Sequence, residues 1–275
     1  MCKQPLIILT GPTAVGKTSL SIKLAKKIGA QIISADSMQV YRHMDIGTAK
    51  ITSSEMQGVK HYLIDEIEPT EEFNVTIFKE KALKAIEQIR NDGYIPMIVG
   101  GTGFYIQALL YDIEFQDNDA DTSYRQELYQ LEKEKGAMYL YEMLKNVDPK
   151  SAESIHYRNV KRVVRALEYY KQTGNRISEH NEEQRKKDSP YNYKYFVLND
   201  IRDNLYERIN KRVDIMFDDG LIDEMQLLTQ IGISRDNTSM QGIGYKEILD
   251  YWDTLGEPYL SLIHISEPTR RSYIS

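Results

Sequence analysis

The feature that most constrains this chain is the segment ILTGPTAVGKTSL, residues 8–20. Gly11, Pro12, Thr13, Ala14, Val15, Gly16, Lys17 and Thr18 satisfy the spacing G-x-x-x-x-G-K-[ST]. The glycines let backbone N–H groups turn inward around phosphate oxygens, and the lysine adds a point charge. The threonine hydroxyl is placed to reach a magnesium ion, and a helix starting there contributes its positive end. The mechanism requires a buried strand before the loop and a helix after it. Both are legible: Pro5 to Thr10 is a short apolar run, and Leu20, Leu24 and Ile28 recur at helical spacing until Gly29. An ordinary turn is the plainer reading, but the strand–loop–helix context argues against it.

The same alternation continues. Gln31 to Ala35 reads as a second strand, Val59 to Ile64 as a third, and Ile95 to Val99 as another, followed by GGTGFYIQALL as loop and helix. Asn74 to Arg90 is an amphipathic helix with Val75, Phe78, Ala82, Ile86 and Ile89 on one side. Strand–helix alternation implies an α/β fold, a P-loop-type parallel sheet flanked by helices. From residue 112 to about 190 the pattern is helical without a clear strand, which reads as a helical insertion domain. Tyr193 to Asp200 is a strand again, and Arg202 to about Gln230 one long helix with Leu205, Ile209, Val213 and Met216 facing inward. The expected organisation is a catalytic core of residues 1–111 and 191–259, an insertion of 112–190, and a tail of 260–275.

With 275 residues, 41% of them hydrophobic, the chain can bury a sizeable core. The first apolar run is too short for a signal peptide or a membrane span. One cysteine, Cys2, leaves no intrachain disulfide, and a reducing cytoplasm is the expected location. His43, His61, His156 and His180 are too scattered to suggest a metal site. The net charge of −6 argues against nucleic acid as a partner unless a local patch binds it.

A phosphate loop does not say whose phosphates it holds. An ATPase or GTPase would place an acid at the end of a second apolar strand, to hold magnesium. Here QIISADS brings Asp36 to one strand end, while IPMIVGG ends in Gly100, Gly101 and Thr102. Both ends belong at the carboxyl edge of the sheet, where open α/β sheets bind ligands. A phosphate cradle, a carboxylate and a hydroxyl therefore converge.

GPTAVGKT, ISADSMQVYRHMDIGTAK, HYLIDEIEP, IVGGTGFYIQALL and IHYRNVKRVVRALE together resemble the tRNA dimethylallyltransferase family, in the expected order from about residue 5 to about residue 250. The combination of D-S-x-Q-x-Y with G-G-T-G-x-Y is far more specific than the P-loop. The resemblance implies transfer of a dimethylallyl group from dimethylallyl diphosphate to N6 of adenosine 37, beside the anticodon of tRNA, with release of diphosphate. It implies that Gly11 to Thr18 hold the diphosphate, with Lys17 and a magnesium ion near Thr18 stabilising the leaving group. Asp36 would accept the N6 proton, and Thr102 would orient the diphosphate. Asp36, Ser37, Met38, Gln39 and Thr102 would meet the target base or its neighbours in the tRNA. The plainer roles are a cap or metal ligand for Asp36, a helix cap for Thr102 and solvated loop residues for Ser37 and Gln39. The family also grips diphosphate with an arginine of the late helix. LYERINKRVD offers Arg208 and Arg212, and Arg208 is the expected one; the alternative is a pair of surface arginines bridging Glu207 or Asp214.

Between His156 and Lys187 stand nine Lys or Arg residues against four Glu. Lys161, Arg162, Val163, Val164 and Arg165 match the family's tRNA-contacting segment, with the two valines expected to pack inward; Arg125 is a further expected contact. By itself such a charge run is a solvated helix face. The partners implied are the tRNA anticodon stem-loop and dimethylallyl diphosphate, with no membrane, and the chain is expected to act as a monomer. The end departs from the family: where a basic helical segment belongs, residues 258–275 read PYLSLIHISEPTRRSYIS. SLIHISEPTR resembles a translated sequencing adapter, so residues from about Leu260 are expected to be non-native. Two other enzyme classes share much of this pattern, a prenyltransferase acting on free adenine nucleotides and a P-loop small-molecule kinase. A non-catalytic RNA-binding protein is a third reading.

Overall fold

The computed structural model describes residues 3–113 and 123–255; the expected non-native tail lies outside them. In chain order the elements are β1 (Gln4–Thr10), α1 (Lys17–Ile28), β2 (Ala30–Ser34), α2 (Ser53–Met56), β3 (His61–Tyr62), α3 (Val75–Asn91), β4 (Ile95–Gly100), α4 (Gly103–Leu110), α5 (Ser123–Lys135), α6 (Ala137–Val147), α7 (Pro149–Ser154), α8 (Val160–Thr173), α9 (Ile177–Lys186), β5 (Tyr191–Val197), α10 (Arg202–Asp218), α11 (Leu221–Gln230) and α12 (Tyr245–Leu255). Among the described residues, no helix is long and apolar enough to cross a membrane. The chain divides into two compact units. One runs up to Leu110 and resumes at Pro190; the other is Tyr111–Ser189.

In the first unit, five parallel strands lie in the order β3-β2-β4-β1-β5. The expected α/β sheet with flanking helices is the architecture observed. The central strands are apolar because helices cover both faces: Leu6, Ile8, Leu9, Ile32, Ile33, Met97 and Ile98 are all buried. Helix α3 turns the stripe Val75, Phe78, Ala82, Ile86 and Ile89 inward, and the Asn74 side chain caps it by accepting from the N–H groups of Thr76 and Ile77, both at 3.0 Å. Helix α1 rotates further than its leucine spacing suggests. It buries Ser21, Ile22 and Ala25 and leaves Leu20 exposed.

Two expectations change. The third strand shrinks to His61–Tyr62 at the sheet edge. The single long helix after residue 202 is two helices, α10 and α11, because Gly220 takes a left-handed backbone (φ 99°) that ends one and starts the next. Of α10 only Phe217 is buried, and the expected inward stripe of Leu205, Ile209, Val213 and Met216 is half-buried.

The carboxyl ends of β2, β4 and β1 are drawn together by hydrogen bonds to backbone carbonyls. The Thr10 hydroxyl donates to the Gly100 carbonyl at 2.8 Å, the Ala35 N–H to Val99 at 2.8 Å, and the Thr102 N–H to Ala35 at 3.1 Å. A Cβ on Gly100 would stand 2.2 Å from the Ala35 carbonyl oxygen. No side chain fits between these two strands.

The second unit is helical. Its core gathers Leu128 of α5, Leu140 and Leu144 of α6, and Val163, Val164, Ala166 and Leu167 of α8. Buried Asp148 joins α7 to the start of α9. It accepts from the N–H and hydroxyl of Ser151 at 3.0 and 2.7 Å, and from the N–H and hydroxyl of Ser178 at 3.0 and 2.6 Å. Burial alone would raise its carboxyl pKa; the hydrogen bonds from Ser178 and Ser151 outweigh that and hold it below the ordinary aspartate value.

Two outcomes are expected. Gly100→Ala forces a methyl group against a backbone carbonyl that cannot step aside, and should cost roughly 1–3 kcal/mol or more in urea unfolding. Asp148 stabilises the fold fully above its unfolded pKa, near 3.9, and that share is lost as the pH falls through its lower folded value. Asp148→Asn should therefore lose roughly 1–3 kcal/mol at neutral pH and lose less than the parent on acidification. Urea titrations of both proteins at neutral and acid pH check this.

Candidate active site

The loop between β1 and α1 has the shape its sequence demands. Gly11 (φ 152°), Ala14 (φ 63°) and Gly16 (φ 94°) all take positive φ, which turns successive backbone groups toward one centre. Gly11 has a second reason to be glycine, since a Cβ there would lie 2.5 Å from the Leu198 carbonyl oxygen. Pro12, Thr13 and Gly16 are exposed, and Val15 is half-buried. Helix α1 begins at Lys17 with no acid in its first turn, so its positive end is unneutralised. The Lys17 ammonium donates to the carbonyls of Gly11 at 2.9 Å and Pro12 at 2.8 Å. The Thr18 side chain is exposed, and its hydroxyl makes no hydrogen bond among the described residues.

Asp36 stands two residues past the end of β2. Its Oδ1 accepts from the N–H groups of Met38 at 2.9 Å and Gln39 at 3.3 Å, a local turn of the kind Asp favours. Its Oδ2 makes no hydrogen bond among the described residues. One oxygen therefore fixes the carboxylate and the other is available. Burial lowers the pKa of Lys17; the Asp36 charge opposes this and Arg212 adds to it. Burial also lowers Arg212, again against the pull of Asp36. Tyr105, buried on α4, is pushed up to about 12, by burial first and then by the charge of Asp36. The carboxylate thus shares its surroundings with two cations and a neutral phenol.

The two arginines of α10 stand in different surroundings. Arg208 ion-pairs with Asp200 and donates to the Ala14 carbonyl at 3.3 Å, bracing the phosphate loop from outside. Arg212, one turn on, is the half-buried one whose charge meets Asp36 and Lys17, and it makes no hydrogen bond or ion pair among the described residues. Spacing alone could not separate them, because residues four apart share a helix face.

Thr102 lies just before α4. Its carbonyl accepts from the Tyr105 and Ile106 N–H groups, and its hydroxyl makes no hydrogen bond among the described residues. In the register of the sheet it follows β4, the strand between Asp36's β2 and the phosphate loop's β1. Ser37 and Met38 are half-buried in the Asp36 turn. Gln39 is not a solvated loop residue. Its amide donates to the carbonyls of Thr48 and Ala49, both at 3.3 Å, and its oxygen accepts from Ser34 at 3.4 Å.

Sequence reasoning missed Glu224. This nearly buried carboxylate of α11 accepts from the N–H groups of Asp45, Ile46 and Gly47 and from the Tyr245 hydroxyl. Nothing local in LIDEM marks it, because every partner lies far away in the chain.

In the helical unit, Lys161, Arg162 and Arg165 are exposed on α8, and their side chains make no hydrogen bond or ion pair among the described residues. Val163 and Val164 lie in the core, so their side chains cannot meet an RNA and serve to orient the cations. Arg125 holds the buried Glu168 with a fork, its Nε at 3.1 and 3.2 Å and its Nη2 at 3.0 Å from the carboxylate oxygens. That pairing removes the one acid of α8 from its basic face.

Among the described residues there is no cluster of three or more His, Cys, Asp or Glu side chains able to hold a metal ion. The chain resembles known proteins over most of its length. The sequence model of the IPP transferase family matches residues 39–272. A tRNA dimethylallyltransferase of Lachnoclostridium phytofermentans is 62% identical over 248 residues, which is 90% of this chain and 79% of that one. Another from Acetivibrio thermocellus is 51% identical over 246 residues, with the same shares. The solved tRNA isopentenylpyrophosphate transferase of Bacillus halodurans superposes with a TM-score of 0.68 at 44% identity, covering 98% of this chain and 82% of that one. A eukaryotic dimethylallyltransferase acting on tRNA gives 0.75 at 29% identity, covering 98% and 68%. With the phosphate loop, the carboxylate and the glycine-threonine turn brought to one sheet edge, and the family match running over most of the sequence, this chain belongs to the IPP transferase family.

Proposed function

We propose that this chain transfers the dimethylallyl group of dimethylallyl diphosphate to N6 of adenosine 37 in the anticodon stem-loop of tRNA, acting as a monomer in the cytoplasm. The observation that carries the reading is the grouping of a phosphate cradle and two cations around a carboxylate with one unbonded oxygen. A small-molecule kinase could use the same cradle and carboxylate, so the choice of prenyl transfer rests on the family match beside this geometry. The relatives at 62% and 51% identity are named tRNA dimethylallyltransferases.

The adenine N6 lone pair is delocalised into the ring, so the amine is a poor nucleophile, whereas an allylic diphosphate ionises readily. The enzyme's task is to hold the two in line and stabilise the departing charge. The N6 lone pair forms a bond to C1 of the dimethylallyl group while the C1–O bond breaks and its electrons leave with diphosphate. The loop N–H groups, Lys17 and Arg212 take up that charge, with Arg208 holding the loop in shape. Asp36 Oδ2 receives the N6 proton. Thr102 orients the diphosphate. An adenosine at the end of a helical stem must be flipped out to reach such a site.

Magnesium fits this donor set in a limited way. The Thr18 hydroxyl is exposed and unbonded, as a cation ligand must be, but no cluster of acidic side chains accompanies it. The ion would be held by Thr18 together with diphosphate oxygens, a habit of this cation. When bound it neutralises charge on the leaving group.

Contacts from Ser37 and Met38 to the base or its neighbours belong to the same reading. Gln39 acts through the loop it ties down. Lys161, Arg162 and Arg165 supply phosphate contacts, which give salt-dependent affinity, while contacts to the target base supply discrimination.

Label from radioactive dimethylallyl diphosphate should appear in unmodified tRNA in the presence of magnesium, and not in AMP or ATP. Label in free nucleotide would move the protein to the adenylate prenyltransferases, and ATP hydrolysis without label would make it a kinase. Asp36→Asn should cut the rate by roughly a hundredfold or more with tRNA affinity retained. Replacing Lys161, Arg162 and Arg165 together by Ala should flatten the salt dependence of tRNA binding, lowering the log–log slope by about 2–3.

A further inference from the structure

The Asp36 turn carries the proposed base, yet it lies in a long connection between β2 and β3 with only the four-residue α2 inside it. Loops hold a side chain less firmly than strands or helices do. The loop's rigidity must therefore come from elsewhere, and its hydrogen bonds lead to a buried acid on α11.

Residues 45–50 form a tight turn, closed by the Ala49 N–H on the Ile46 carbonyl and the Lys50 N–H on the Asp45 carbonyl, both at 2.9 Å. Like the start of a helix, such a turn leaves its first N–H groups without local partners. Glu224 takes three of them. Its Oε2 accepts from Asp45 at 2.7 Å and Ile46 at 2.8 Å, and its Oε1 from Gly47 at 3.0 Å. The Tyr245 hydroxyl of α12 adds a fourth donor to Oε1, at 2.6 Å. Four donors fill the acceptor sites of an ionised carboxylate. The far end of the turn faces the base: its Thr48 and Ala49 carbonyls receive the Gln39 amide, and the Gln39 backbone N–H bonds Asp36.

Packing adds a second path between the same elements. A Cβ on Gly47 would strike the Tyr245 ring at 2.4 Å, so the ring lies flush against the turn. A Cβ on Gly242 would come within 3.1 Å of the Met38 sulfur and 3.3 Å of the Tyr245 ring. The backbone before α12 is thus packed between Tyr245 and a member of the Asp36 turn. Lys50 ties the turn down separately, with bonds to the Tyr41 carbonyl, Asp45 and Asp65.

We propose that Glu224, locked by Tyr245, is a positioning residue for transfer: through the 45–49 turn and Gln39 it fixes the Asp36 carboxylate without touching substrate. The inference rests on the proposed role of Asp36 as proton acceptor. Its signature is a loss in the chemical step with diphosphate binding retained, because among the described residues the phosphate loop makes no bond to this turn.

The experiment measures kcat and the KM for dimethylallyl diphosphate with unmodified tRNA, and thermal unfolding, for the parent, Glu224→Gln, Tyr245→Phe and Asp36→Asn. Glu224→Gln keeps the shape but turns an amide group toward backbone donors. It should lower kcat roughly ten- to a hundredfold at temperatures well below its melting point, with KM for the diphosphate within about twofold. Tyr245→Phe, which removes the hydroxyl but leaves the Glu224 carboxylate intact, should shift kcat in the same direction by less, and it decides the matter if Glu224→Gln does not fold. A folded variant with parental kcat, or one whose loss lies in KM alone, overturns the proposal and leaves Glu224 a structural brace. The controls separate the two ideas. An Asp36→Asn protein as active as the parent refutes the role of Asp36, whereas an inactive Asp36→Asn beside a fully active, folded Glu224→Gln refutes only the clamp.

Discussion

Between Gly100 and Ala35 there is no room for a methyl group, and the rest of the site depends on that closeness. It lets the end of β4 lie directly against the end of β2, while the Thr10 hydroxyl pins β1 to the other side. The strands are neighbours in the sheet although their order in the chain is different. A parallel sheet buries all three as apolar runs, then releases them at one edge within bonding reach of each other. What each strand carries just past its end thereby becomes one chemical site: a phosphate loop, a carboxylate and a glycine-threonine turn.

Much of this is legible in the sequence because it is local. The phosphate loop is a fixed spacing of glycines, and the structure gives it the positive φ values that glycine permits at two of the three positions. Ala14 is the third, and nothing but the motif would have placed an alanine there. The inward stripe of α3 and the end of α1 at Gly29 follow from neighbours a few residues apart.

The remainder depends on distant partners. Arg208 and Arg212 lie on one helical face and differ only in what the fold sets opposite each, Asp200 for one and Asp36 with Lys17 for the other. Glu224 reads as one more surface acid until the turn at residues 45–47 is folded onto it. Arg125 reads as one more cation, and only the fold shows its fork on the buried Glu168. The break at Gly220 competes with a periodicity that runs on through it, and a single glycine is tolerated in helices often enough that spacing alone could not settle the matter. Periodicity reports which face of an element is apolar; it does not report which charged groups meet.

The Lys17 ammonium, bonded to the Gly11 and Pro12 carbonyls, has a consequence for selectivity. A ligand reaching this lysine competes with resident partners, so what is gained is the difference between the new bonds and the old. A neutral hydroxyl or carbonyl offers little more than the carbonyls already there. A phosphate oxygen adds a full opposite charge, and its Coulomb attraction for the ammonium exceeds that of a carbonyl dipole. The loop thus acts as a threshold, ignoring neutral molecules of similar shape and responding to anions, and it does so through a bond it makes to itself.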